Sequence, residues 1–286
     1  MMQVGEALAQ GTQAIHSCKI SQTPLLDASL LLSAVTGLSR EQLYTRSSSY
    51  LSGEAATVYR RLIDRRCQAQ PVAYLTGVRE FYGRTFTVDP SVLIPRSDTE
   101  TLVQTVLDHL PNVASHRILD LCTGSGCVGI TLAAEIPSAE VTLTDISDQA
   151  LSVAQINAAR LVDRPIELVC SDLFSSLDGR QFHVIATNPP YIADSWYEQL
   201  EVQVKQEPTL ALLGGDQDGL AIIRRIIAQA PDHLLPHGLL CIECDYRQVD
   251  AVMLLFHQYG FSEVTYEHDL AHLQRVVRGG VACMKN

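Results

Sequence analysis

Basic side chains are scarce in this chain. Its 21 Lys and Arg stand against 32 Asp and Glu, a formal charge of −11 over 286 residues. Proteins that grip nucleic-acid phosphates normally carry a basic stripe, and the one arginine cluster here is Arg60-Arg61 with Arg65-Arg66. That cluster reads as the solvated face of a helix. Acidity therefore disfavours stable nucleic-acid binding, although local patches count for more than the sum. No apolar run reaches the roughly 18 residues of a membrane span. Residues 1–13 lack a basic segment followed by an apolar core, so a cytoplasmic protein with no membrane partner is expected. Tryptophan occurs once, at Trp196, and the eight cysteines are scattered. The one C-x-x-C spacing, Cys241 to Cys244, lies in a strand pattern whose alternation sends the two sulfurs to opposite faces. Buried free thiols are expected there, with no disulfide and no zinc. His268 and His272 stand at i, i+4 but suggest no third ligand, so no metal site is expected.

What is present is the composition of an ordinary globular protein, 47% apolar and 19% charged. At this length one or two domains are expected. Residues 1–85 read as a small all-α domain. Thr23 is placed to cap a helix that opens on Pro24 and stops near Gly37, and Ser39 with Gln42 forms a capping box. A further helix over about 53–69 turns Val58, Leu62 and Ile63 inward before Pro71 ends it. Residues 86–96 read as a β-hairpin linker and 97–286 as the larger domain. In the latter, strands near 117–121, 140–145, 166–170, 183–187 and 238–243 alternate with helices. Such alternation builds a parallel sheet covered on both faces. The last two strands, near 262–267 and 275–282, follow each other directly and imply an antiparallel edge. The long connection from Ala193 to Gly215 is expected to hold a short helix and to be functional.

The most informative residues are Asn188-Pro189-Pro190-Tyr191, which close the buried strand pattern His183–Thr187. Two prolines cannot continue a parallel ladder. They hold the chain extended at a strand's carboxyl end, where open α/β sheets bind ligands. The Asn188 side-chain carbonyl and the Pro189 main-chain carbonyl can then face one point as paired acceptors, with the Tyr191 ring beside them. That cradle suits a planar –NH2 group.

Upstream, a strand ending in Asp120 runs through Cys122-Thr123-Gly124-Ser125-Gly126 into a helix, and Asp145 ends the next strand 21 positions after Gly124. Gly124, Gly126 and Gly129 satisfy G-x-G-x-x-G, and an acid about 20 residues on can take two ribose hydroxyls. A dinucleotide would set a pyrophosphate against this turn, where Asp120 is unwelcome. S-adenosylmethionine has no phosphate and carries a sulfonium and an ammonium group, which a carboxylate favours. A third strand ends in Ser171-Asp172-Leu173, where Asp172 can accept from an adenine amino group or cap a short helix. Three alternatives stay open from the residues alone: an adenine-N6 or guanine-N2 methyltransferase of nucleic acid, an NAD-dependent oxidoreductase, and a non-catalytic interaction protein.

These residues together resemble the HemK/PrmC protein-(glutamine-N5) methyltransferases of the class I methyltransferase superfamily. The likeness runs through Pro71–Gly77, Ile94-Pro95-Arg96-Ser97-Asp98-Thr99-Glu100, the glycine loop, Asn188–Ile192, Glu207-Pro208, Gly214-Gly215, and Asp269-Leu270-Ala271. It implies a Rossmann-like sheet with an antiparallel C-terminal edge behind a helical substrate-recognition domain. It also implies methyl transfer from S-adenosylmethionine, leaving S-adenosylhomocysteine, to the glutamine of the Gly-Gly-Gln motif in class I peptide chain release factors, supporting translation termination. By the same resemblance Asn188, Pro189, Pro190 and Tyr191 hold the glutamine amide with Phe86 closing the other side. Asp120, Cys122 to Gly126, Asp145, Asp172, Leu173 and Asn188 hold the cofactor. The chain departs from the pattern at Cys122 and His272, where glycines are expected, at Ser97 in place of a proline, and at Leu173, where some members carry an aromatic.

Overall fold

Apolar residues recurring every three to four positions wind the start of the chain into helices at Val4–Cys18, Pro24–Thr36, Arg40–Thr45, Gly53–Cys67 and Val72–Thr76. The computed structural model describes residues 2–281. It divides into two units, Met1–Val78 with Leu200–Gln206, and Arg79–Gln199 with Glu207–Asn286. In the first unit Pro24 opens its helix and Gly37 closes it at φ 70°, a left-handed conformation that glycine adopts freely. Thr23 stands at the N-cap but makes no side-chain cap bond. The Ser39–Gln42 box forms in both directions, at 3.3 and 2.9 Å.

Two readings of the fourth helix need correction. Its inward face is Ala56, Tyr59, Ile63 and Arg66, a 3-4-3 spacing, with Leu62 packed partly buried against the same core and Val58 only half-buried. Arg66 does not share the solvated face with Arg60, Arg61 and Arg65. It is 3% exposed and bonds Asp27 through Nε at 2.8 Å and the Gln70 carbonyl at 3.1 Å. A guanidinium tolerates burial when its donors are spent on a carboxylate and a carbonyl.

A two-stranded hairpin, β1 (Val78–Phe81) and β2 (Arg84–Thr87), turns at Tyr82-Gly83 with φ 49° and 69°. Paired positive φ values match the twist that hairpin strands require. The hairpin thus lies ahead of the 86–96 segment expected to contain it, and residues 88–96 are irregular. The large sheet comprises β3 (Arg117–Leu121), β4 (Glu140–Asp145), β5 (Glu167–Cys170), β6 (Phe182–Thr187), β7 (Leu234–Glu243), β8 (Phe261–His268) and β9 (Gln274–Val281). Its order is β5-β4-β3-β6-β7-β9-β8. The first five strands pair in parallel, and β9 runs antiparallel to both neighbours. The antiparallel strand is therefore one in from the edge. Residue 282, included in the last strand read from sequence, lies outside the described residues.

Alternation along each central strand separates two cores. Ile118, Val184 and Cys241 enter one, with Leu102, Ile130 and Leu143 from the covering layer and β4. Leu119, Ile185 and Leu240 enter the other, with Ile223, Val252 and Phe256. Burying each such side chain is worth about 1.5–3 kcal/mol, which locks the register. Cys241 and Cys244 do fall in opposite cores. Cys18, Cys67, Cys122, Cys127, Cys170, Cys241 and Cys244 are all free thiols.

Candidate active site

Strand order reverses between β3 and β6, so the loops leaving their carboxyl ends diverge and open a crevice. A cavity of about 480 Å³ lies there, lined from the ends of β3, β4, β5 and β6, from residues 90–99 and from Pro208–Leu213. Its size suits a drug-sized or nucleoside ligand.

Asp120 is 1% exposed, and its Oδ2 accepts from Thr123 Oγ1 at 2.5 Å and from the Gly129 N–H at 2.8 Å. Burial pushes its carboxyl up to about 7, opposed by those two donors and reinforced by Asp145 nearby. Gly129 serves packing here. A Cβ on it would stand 2.2 Å from Leu143 Cδ2 and 2.8 Å from Asp120 Cβ, so only glycine lets the helix close on the strand. Asp145 accepts the Gly124 N–H through Oδ2 and the Ser147 N–H through Oδ1, both at 2.9 Å. Burial raises this carboxyl too, against the pull of those N–H groups. Each Asp145 oxygen takes one of these N–H groups and keeps a lone pair for a ligand, whereas Asp120 has only Oδ1 left to offer. Two adjoining acids at the turn disfavour a pyrophosphate there and suit a cation, while the arginines of the lining, Arg96 and Arg225, are spent on Glu207 and Asp172.

Cys122, Thr123, Gly124, Ser125, Leu173 and Asp172 all line the cavity, whereas Gly126 shapes the turn from behind at φ 81°. Asp172 neither caps a helix nor stands free: both its oxygens accept from Arg225 Nη2, at 3.0 and 2.9 Å. Cys122 and His272, the two places where the resemblance calls for glycine, adopt φ 59° and 60°. A left-handed backbone costs a residue bearing Cβ about 1–2 kcal/mol. Cys122→Gly is accordingly expected to leave stability unchanged or raise it by about 1 kcal/mol, where Cys241→Gly, in the middle of β7, costs about 2–3 kcal/mol. Urea denaturation of both variants checks this, and a C122G loss equal to that of C241G would refute the strain.

Asn188 follows Thr187, which sits opposite Leu121 in register and donates to its carbonyl at 2.6 Å. The Asn188 side chain lines the cavity and its Nδ2 donates to Thr99 Oγ1 at 3.1 Å. Pro190 also lines it, while Pro189 is buried and Tyr191 half-buried against the second core, outside the lining. Burial raises the Tyr191 hydroxyl. The Tyr191 carbonyl is pinned by Gln248 Nε2 at 2.8 Å. Gly219, at φ 74°, passes so close that a Cβ would stand 2.2 Å from the same carbonyl. Phe86 does not close the cavity. It is 0% exposed, packed edge-on to Phe81 at 6.0 Å in the first core, because β2 turns alternate residues inward and Phe86 is an inward one. Val92, Leu93, Pro95 and Arg96 reach the cavity instead.

The partners of several organising residues were not apparent from sequence. Buried Glu207 accepts from the Ile94 N–H at 3.0 Å and from Arg96 Nη2, tying the 92–96 segment to the loop after Tyr191. Asn157, fully buried in the helix Asp148–Leu161, bonds Thr87 through its N–H at 2.7 Å and its carbonyl at 2.9 Å. It also donates to the Ser125 carbonyl at 2.9 Å, which fixes the glycine loop. Trp196, in the short helix Asp194–Tyr197, packs under the Arg247 guanidinium at 3.6 Å, a cation–π contact. Among the described residues no three His, Cys, Asp or Glu side chains form a metal cluster, and no helix is long and apolar enough to cross a membrane.

Comparison with known proteins extends this picture. Two family models match, a Methyltransferase small domain over residues 96–207 and a PrmC N-terminal domain over residues 6–77. The release factor glutamine methyltransferase of Burkholderia pseudomallei is 42% identical over 272 residues, spanning 93% of this chain and 95% of its own. Its counterpart in Koribacter versatilis is 41% identical over 259 residues, spanning 90% and 91%. A methyltransferase crystal structure from Pyrococcus furiosus superposes with a TM-score of 0.54 at 15% identity, covering 71% of this chain and 91% of that one, which shows a shared fold alone. The chain is a methyltransferase and belongs to the release factor glutamine methyltransferase family.

Proposed function

We propose that this chain moves a methyl group from S-adenosylmethionine to the side-chain amide nitrogen of the Gly-Gly-Gln glutamine in class I peptide chain release factors. The observation that carries the reading is Asn188. Its carboxamide stands in the cavity wall with the nitrogen end tied to Thr99, leaving Oδ1 as an acceptor in the cavity that Asp120 and Asp145 also line. The cofactor, when bound, supplies an electrophilic methyl carbon on a cationic sulfur. Asp145 takes the ribose hydroxyls, Asp172 the adenine amino group through lone pairs Arg225 leaves free, and Asp120 favours the cationic end.

An amide nitrogen is a poor nucleophile because its lone pair is shared with the carbonyl. Acceptance of its N–H bonds by Asn188 Oδ1, and by the Pro189 main-chain carbonyl between the lining residues Asn188 and Pro190 once substrate settles into that corner, raises electron density on nitrogen and aims it. Tyr191 and Pro190 stiffen that corner. Orientation of this kind can supply roughly 7–11 kcal/mol of a barrier in favourable cases. No strong base is required, since the nitrogen loses its proton readily once alkylated. The helical unit is assigned to presenting the substrate; hydrogen-exchange protection on residues 4–76 is the expected result when a release factor is added, and unchanged exchange there would remove that role. Mass spectrometry of a purified release factor after incubation with protein and donor tests the whole reading. A single added methyl on the Gly-Gly-Gln glutamine is expected, and an unmodified glutamine beside a methylated nucleic acid overturns it.

Asp120 gives this reading a pH signature. Its carboxyl must be ionised to favour a cation, and it sits near 7 in the ligand-free protein. Donor affinity should fall about tenfold between pH 8 and pH 6. Because the folded state holds a proton that the unfolded chain releases, this group's stabilisation is full at low pH and is lost as pH rises through 7. The unliganded melting temperature should therefore drop from pH 6 to pH 8 while the donor-induced shift grows. Thermal-shift titration with Asp120→Asn alongside checks both signs, and a pH-independent donor shift removes Asp120 from the role.

A further inference from the structure

The two ends of an asparagine amide are alike in shape and opposite in polarity, so its usefulness depends on which end meets the substrate. In this protein the nitrogen end of Asn188 is committed to Thr99 Oγ1. Thr99 is 2% exposed and closes the turn Ser97–Thr99 ahead of the helix Glu100–Asp108. A threonine hydroxyl is itself ambivalent, able to donate or accept. Something must break that ambivalence.

Glu243 is placed to do so. It ends β7 one position after Ile242, the register partner of Thr187, which sets it alongside Asn188. It is 1% exposed, and its Oε2 has no hydrogen-bond partner among the described residues. An unpartnered carboxylate oxygen at that depth is costly and calls for a use. We propose that Thr99 and Glu243 are positioning residues that set the polarity of Asn188. The Glu243 carboxylate accepts the Thr99 O–H, Thr99 Oγ1 is left to accept from Asn188 Nδ2, and Asn188 Oδ1 is thereby turned to the substrate amide. A carboxylate can only accept, so it orients every bond in the relay. The inference rests on the reading of Asn188 as the acceptor for the glutamine N–H.

Protonation of Glu243 would give it an O–H donor of its own, so that it no longer forces the direction of the relay. Burial pushes its carboxyl up to about 7, opposed by the Thr99 hydroxyl, by Arg275 on β9 and by Arg96, while Asp98 acts in the same direction as burial. Arg275 is itself held on Asp269 at 3.1 and 3.0 Å, and Tyr191, Cys127 and Cys244 are the other titratable neighbours.

The test uses the full chain with a purified release factor at saturating donor. Thr99→Val should lower kcat by about thirtyfold, the scale of a misplaced reacting group, while affinity for S-adenosylhomocysteine stays within about threefold. Thr99→Ser, which keeps the hydroxyl, should restore kcat. The wild-type kcat should fall below about pH 7, and Glu243→Gln, about tenfold slower, should lose that limb. The inference is overturned by a fully active T99V, by a T99S as impaired as T99V, by parallel loss of kcat and donor-product affinity, or by an unchanged acid limb in E243Q. A wild-type protein that leaves the release factor unmodified overturns the substrate reading, and this inference with it.

Discussion

Asn188→Ala is expected to lower the rate of methyl transfer by about 10²–10³-fold, comparable with removing one preorganised polar group from an active site, while sparing cofactor binding. The expected separation follows from where the groups sit. Asn188 extends from β6 and is tied to Thr99, whereas the acids assigned to the donor stand near the carboxyl end of β3 and at the end of β4, anchored by their own loops. Truncation removes the acceptor that aligns the nucleophile but leaves Asp120, Asp145 and the glycine turn in place. Single-turnover kinetics with calorimetric titration of S-adenosylhomocysteine distinguish the two effects. Loss of kcat with product affinity within about threefold is the expected pattern, because an interaction made chiefly to the reacting group leaves cofactor affinity largely intact. Near-normal methylation by the alanine variant would remove Asn188 from the mechanism.

Asp145→Ala should act on the opposite term. Two hydrogen bonds from ribose hydroxyls to a carboxylate contribute about 3 kcal/mol together, so donor affinity should fall on the order of 150-fold. At saturating donor, kcat should change by less than about threefold. The truncation also releases the N–H groups of Gly124 and Ser147, which Asp145 holds at 2.9 Å. Asp145→Asn keeps one acceptor for them and should weaken binding by only about tenfold. Calorimetric affinities for wild type and both variants order the three proteins. An alanine variant that binds as tightly as wild type would show that the ribose lies elsewhere.

The elements that hold these groups could be read directly because their signals are local. Ile118-Leu119 and Val184-Ile185 each feed two cores, and a strand buried on both faces leaves a continuous apolar run. Asp120, Asp145 and Asn188 stood out as polar residues terminating such runs. Cys122 and His272 showed as departures from an expected glycine, and the structure adds that both adopt positive φ. Phe86 was misassigned because an aromatic in a hairpin serves a core or a pocket equally well on paper, and only the pleat of β2 turned it inward. Arg66 looked like its exposed neighbours until the helix phase brought it to Asp27, 39 positions away.

Sequence alone determined the order of strands and helices, the acids at the strand ends and the amide-bearing Asn-Pro-Pro-Tyr turn, all written in stereochemistry and hydrophobic spacing between near neighbours. Tertiary structure alone decided which distant groups complete them: Glu207 on Arg96 across 111 positions, Thr99 on Asn188 across 89, and Asn157 on Ser125 across 32. Those partnerships arise where the sheet order reverses between β3 and β6. A buried polar group must find its complement among whatever the folded chain brings within 3 Å, and no local pattern specifies that choice.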